Sequence, residues 1–225
     1  MSETPYLWYL NRASGLVLLV VLTVTLVLGV LAAGRNTPPW WPRFATAALH
    51  ANLAGVGVAL LAAHIVTAVV DGFVDIEPVD AVVPFLSSYR PLWLGLGTLA
   101  STLLVAAVVT AAGRGLLPPT VWRRAHLLVY PAWPLAVLHG LGTGSDTTRR
   151  PVLLLTFTAV LAVVLAVVAR LAVLEKPPGA RLGLRLLALA VPIGLGLWLG
   201  SPDGPLQPGW DERAGSPATT GQEQP

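Results

Sequence analysis

The chain has 225 residues, of which 55% are hydrophobic and only 11% charged. A soluble domain carries about 25% charged residues, so this composition indicates a membrane protein in contact with lipid. The absence of cysteine excludes disulfides, iron–sulfur clusters and thiolate metal sites, and the net charge of +3 is scattered over loops, which argues against nucleic acid as a partner.

Six stretches are long and apolar enough to cross a bilayer core, which takes about 20 helical residues. In chain order they are 13–33, 44–71, 92–112, 121–141, 151–174 and 182–199. The first is too long for the apolar region of a cleaved signal, which runs to about 15 residues, and is expected to stay as a helix. RNTPPWWPR, DIEPVD, GRGLLPP, GTGSDTTRRP and EKPPGAR separate the spans, each with turn-forming or charged residues. Trp40, Trp41 and Trp122 sit where interfacial anchors are expected. The expected fold is therefore an all-α integral membrane protein, a six-transmembrane-helix bundle over residues 1–200. Residues 201–225, polar and rich in Pro and Gly, are expected to form a disordered tail.

Nine basic residues fall in the loops after helices one, three and five, against five on the opposite side. The excess of Lys and Arg marks the cytoplasmic side, so both termini are expected outside. Helices two and four then both run outward.

All four histidines lie on those two helices. His50 and His64 are fourteen apart, and His126 and His139 thirteen apart. At 1.5 Å per residue each pair spans about 20 Å along its axis. On parallel helices His50 comes level with His126, and His64 with His139. Two facing imidazoles in a helix bundle can clamp one flat haem between neutral nitrogens. Polar helix contacts or a proton relay are the other uses of such residues, since ionisable groups in spans are rare and mark function. Zinc fits poorly, because it takes about four ligands close together. Thirteen residues miss the same helix face by about 140°, and Pro131 and Pro134 offer a kink that would re-aim His139.

On these residues the chain resembles the ferric-reductase-type transmembrane domain family. That family includes the cores of NADPH oxidases and ferric reductases, and the haem subunit of the periplasmic methionine-sulfoxide reductase system. The match lies in H-x13-H (His50, His64), in H-x12-H (His126, His139) and in WRRAHLLVYPAWPLAVLH, which resembles the family's W-x-x-x-H-x-x-x-Y segment. SYRPLWLGLGTLA resembles the segment before the intervening helix, and the resemblance covers about residues 6–174. It implies haem held between helices 2 and 4 as two b-type haems, the inner on His50 and His126, the outer on His64 and His139. Electrons would pass from a quinol or a separate flavoprotein to an extracytoplasmic acceptor protein or ferric ion, across a plasma (inner) membrane. The chain departs from the oxidases in lacking a flavin and NADPH domain, and GLGTGSD at 140–146 leaves a membrane helix rather than a strand.

Anionic haem propionates would meet Arg43, Arg123 and Arg124 on the inner side and Arg12 and Arg90 on the outer. The same arginines also suit plain interfacial positions. Trp133, midway between His126 and His139, is expected between the haems or in ordinary packing. Asp71, Asp75, Glu77 and Asp80 cluster beyond His64, where they would attract a cation or a cationic partner. A respiratory cytochrome b shares the histidine spacing, but a PEWY-like quinol motif is missing here and eight helices would be expected. A small transporter or proton channel using the histidines as relay groups is the alternative from another class.

Overall fold

The computed structural model describes residues 5–33, 42–72, 74–144, 146–172, 178–202 and 204–210. Arg35, Trp40, Trp41, the side chain of Arg43 and residues 211–225 lie outside that description. The regular structure of the described chain is helical, with α1 Pro5–Ala33, α2 Arg43–Val70, α3 Pro91–Ala112, α4 Pro119–His126, α5 Val129–Thr143, α6 Arg150–Ala172 and α7 Pro178–Gly200. No strand occurs among the described residues. In lipid every backbone polar group needs an internal partner, and helices rich in Leu, Val and Ala meet that demand.

Four of the helices are long and apolar enough to cross a membrane, over Tyr6–Ala33, Phe44–Val70, Pro91–Ala112 and Arg150–Ala172. Their outer faces carry Val24, Phe44, Val66, Leu154, Phe157 and Leu165, all exposed. An apolar belt of this extent is foreign to the surface of a soluble monomer. The core is small and sits to one side. It gathers Leu26 and Val30 of α1, Trp133, Val137 and Leu141 of α5, and Ala159, Val160 and Ala166 of α6.

The expected fourth span is broken. α4 ends at His126, and the chain passes through Leu127 and Leu128 before α5 begins. Leu127 N–H donates to Arg124 O, Leu128 to Ala125 O and Tyr130 to Leu127 O, each an i→i−3 bond. Pro131 has no N–H to give the Leu127 carbonyl, so the ladder tightens one turn ahead of it. Pro134 is accommodated inside α5. The re-aiming expected of the prolines thus takes place beside His126, where the tighter turn adds about 20° per residue over an α-helix.

The helices associate as two antiparallel pairs. α2 packs on α1, and α5 packs on α3, while α1 bridges to α6. Ala100 and Ala107 of α3 and Ala132 of α5 are fully covered, and small residues of this kind let helices approach closely. α2 and α5 make no such close pair, and a slot is left between them.

One end of that slot is roofed by residues 74–90. A 3-10 turn, Pro78–Ala81, is closed by Asp80, whose Oδ2 accepts the Glu77 N–H at 3.0 Å. Thr98 Oγ1 of α3 donates to Asp80 O at 2.7 Å and ties the turn down. Phe85 takes a left-handed conformation, φ 67°, to lie on α3 where Gly95 has no side chain. A Cβ at Gly95 would collide with the Phe85 ring and backbone.

Of the segment expected as a tail, 201–225, the first residues are described. Residues 201, 202 and 204–210 turn back on α7, with Leu206 N–H bonded to Leu199 O. Trp210 is buried against Trp93 and Trp198, with ring centroids 5.7 and 6.0 Å away. Three aromatic rings in contact outweigh the polar composition around them.

Candidate functional site

The slot brings the four histidines together as two facing pairs. The His50 and His126 rings stand 6.0 Å apart between centroids, inclined at 73°. Those of His64 and His139 stand 6.3 Å apart at 82°. The unequal sequence spacings, fourteen and thirteen, therefore give nearly equal pairs, because the break after His126 takes up the difference.

Three of the rings are fixed from behind by main-chain carbonyls. His50 Nδ1 lies 2.9 Å from Thr25 O, His64 Nδ1 3.1 Å from Asn11 O, and His139 Nδ1 3.0 Å from Trp93 O. A carbonyl only accepts, so each of these Nδ1 atoms carries the proton and each Nε2 keeps its lone pair. This second partner fixes both tautomer and ring orientation in metal-binding histidines. His126 differs: its Nδ1 is buried and has no hydrogen-bond partner.

Glycines make room for the same three rings. A Cβ on Gly29 would come 3.2 Å from His50, and one on Gly15 3.0 Å from His64. On Gly97 of α3 it would collide with the His139 ring. Gly15 and Gly29 are fourteen residues apart on α1, the spacing of His64 and His50 on the antiparallel α2. That matched spacing was present in the sequence and was the readable signal for the backing of both rings.

Asn11 is the other residue that the sequence reading missed. Its carbonyl holds His64 Nδ1, and its side-chain amide donates to His64 O at 2.9 Å and to Thr67 Oγ1 at 3.2 Å. Arg12 was the residue singled out at this place, yet the neighbouring asparagine grips the histidine.

Around His64 and His139 the slot widens into a cavity of about 300 Å³, at the small end of the roughly 300–1,000 Å³ typical of cofactor and ligand sites. Leu18, Leu61, Leu104 and Val137 line its walls, and Arg12, Asp71, Asp80, Tyr89 and Asp146 its mouth. Arg12 is thus where an anionic group at this end would be met. It lies over the Trp8 ring, with Nη1 3.9 Å from Asp146 Oδ2.

The remaining residues singled out in the sequence are distributed differently. Arg90 is buried and does not border the cavity; its Nη1 donates to Gly142 O at 2.6 Å, which joins the start of α3 to the end of α5. Arg123 and Arg124 are exposed on α4, the former over the Trp122 ring. Trp133 belongs to the core and donates its Nε1–H to Thr23 Oγ1 at 3.0 Å, so it serves packing and does not line the cavity. The acidic cluster divides: Asp75 and Glu77 have exposed side chains, whereas Asp80 is buried as the cap of its turn.

Two trans imidazole nitrogens at about 2 Å from one metal ion place their ring centroids about 6 Å apart. Both pairs meet that requirement. Among the described residues no three His, Asp or Glu side chains gather as a metal site, and each level presents one pair of histidines. No protein-family model matches the chain, and no curated protein or solved structure matches it either.

Proposed function

We propose that this chain is a b-type dihaem cytochrome of the plasma membrane, a ferric-reductase-like conduit for single electrons. One observation carries the reading: two histidine pairs stand at different depths of one slot, at the centroid spacing of trans ligands. His50 and His126 would hold the inner haem, and His64 and His139 the outer. When bound, the two haems supply one-electron carriers at two depths of the bilayer.

The protein's own residues supply position. Thr25, Asn11 and Trp93 carbonyls aim three Nε2 lone pairs into the slot, and Gly15, Gly29 and Gly97 let the rings lie close to the helices behind them. Arg12 at the mouth is placed to meet a propionate. Under this reading α4 and α5 form one broken pass, and six passes leave both termini outside. The donor is a quinol or a separate flavoprotein, and the acceptor an extracytoplasmic oxidant or partner.

The test is a dithionite-reduced minus oxidised spectrum of the detergent-purified protein, with haem counted as the pyridine haemochrome. About two b-type haems are expected in the parent and about one each in His50→Ala and His64→Ala. A colourless protein, despite haem supply during expression, would overturn the reading. It would move the histidines to the proton-relay role of a channel or transporter.

A further inference from the structure

The two histidine pairs are unequal in how their rings are held. His64 is gripped by Asn11 O, and His139 by Trp93 O, each ring lying against a glycine. In the other pair His50 is likewise bound to Thr25 O and backed by Gly29. His126 has neither support: its buried Nδ1 finds no acceptor, and no described glycine faces its ring.

The reason is local. His126 is the last residue of the eight-residue α4, and the chain beyond it is drawn into the tight turn at Leu127 and Leu128. α4 packs chiefly on α3, and among the described residues no carbonyl reaches the buried Nδ1. The nearest ring besides His50 is Trp122, edge-on at 6.2 Å, and it offers Nδ1 no acceptor, since an indole N–H only donates.

A carbonyl on Nδ1 raises the basicity of the opposite nitrogen and fixes the ring; its loss typically weakens metal affinity about 10–100-fold. We infer that His126 is an exchangeable ligand, and that with haem bound the His50–His126 site would admit a small neutral diatomic ligand in place of its imidazole. The His64–His139 site, anchored on both sides, stays closed. The inference rests on the haem reading above and adds a ligand-binding activity at one of the two sites.

Carbon monoxide is the probe, added to the dithionite-reduced, haem-loaded full chain, with the difference spectrum as readout. About half of the haem in the parent is expected to bind it. In His139→Ala all the haem that remains is expected to bind it, whether the variant keeps the outer haem with one ligand or loses it. Binding by none or by all of the parent's haem would overturn the inference. So would a His139→Ala protein in which half or none of the remaining haem responds, because the open site would then be the other one. A parent without haem overturns the functional reading itself, and the two failures are therefore distinct.

Discussion

At the His64–His139 end of the slot, each ring is held by a carbonyl of a neighbouring helix, and Asp80 and Ala81 of the turn Pro78–Ala81 border the cavity beside them. At the His50–His126 end one ring is held and the other is not. The ring separations at the two ends nevertheless differ by only a few tenths of an ångström, 6.3 against 6.0 Å. Equal spacing with unequal support means that distance is set by the helices, while rigidity is set by what stands behind each ring. The two ends should therefore respond differently to changes that leave the histidines intact.

The largest such difference is expected from Gly97→Val. Even a Cβ at this position would collide with His139, and the ring is held to Trp93 O on the same helix, so it has little room to retreat. On the dihaem reading proposed above, the variant should fall from about two haems to about one, with the His50–His126 site retained. Haem stoichiometry together with the reduced spectrum checks this. Equal loss from both sites would break the distinction between the ends.

Thr23→Val should act on both ends alike. Trp133 Nε1–H, buried in the core, would lose its only described acceptor, and an unsatisfied buried donor costs about 1–3 kcal/mol. Unfolding of the detergent-solubilised protein should reflect that loss, while the haem spectrum of both sites stays unchanged. A selective change at one site would place Trp133 beside a haem after all.

Much of this organisation was legible in the sequence. Apolar length marked the helices, and the confinement of His50, His64, His126 and His139 to two of them pointed to facing pairs. The break at Leu127 and Leu128 was legible only in part, because Pro131 shows which carbonyl loses its donor but not where the chain tightens. The contacts of Asp80, Arg90 and Trp210 were not legible, for a shared reason. An exposed acid, a propionate arginine and a disordered-tail tryptophan look the same in sequence as a turn cap, a carbonyl clamp and a buried ring. Their partners, Glu77 apart, are remote in sequence: Thr98 for Asp80, Gly142 for Arg90, and Trp93 and Trp198 for Trp210. Composition cannot register such contacts.

A smaller effect, confined to one end, is expected from Asn11→Ala. The substitution removes the amide bonds to His64 O and Thr67 Oγ1 and keeps the backbone carbonyl that holds His64 Nδ1. Interhelical hydrogen bonds in membranes are worth about 0.6 kcal/mol each on average, so the loss should be about 1 kcal/mol. On the dihaem reading it should appear as faster haem release from the His64–His139 site to an apoglobin scavenger, with the His50–His126 site releasing at the parent rate.

The finest comparison sets Gly15→Ala against Gly29→Ala, two substitutions on one helix that share the same gain in helix propensity, about 1 kcal/mol in water. Their new Cβ atoms would come 3.0 Å from His64 and 3.2 Å from His50, so each ring must yield by a few tenths of an ångström. His64 cannot yield easily, because Asn11 holds its Nδ1 from the carbonyl and its backbone from the side chain. His50 has its bond to Thr25 O and faces His126, which nothing anchors, so the pair can shift together. Gly29→Ala should therefore be close to neutral in stability and spectrum. On the dihaem reading, Gly15→Ala should shift the midpoint potential at the His64–His139 site and leave that at the His50–His126 site in place. Redox titration of the two variants separates these outcomes, and a larger shift in Gly29→Ala would mean that His126 is held by something other than the protein groups around it.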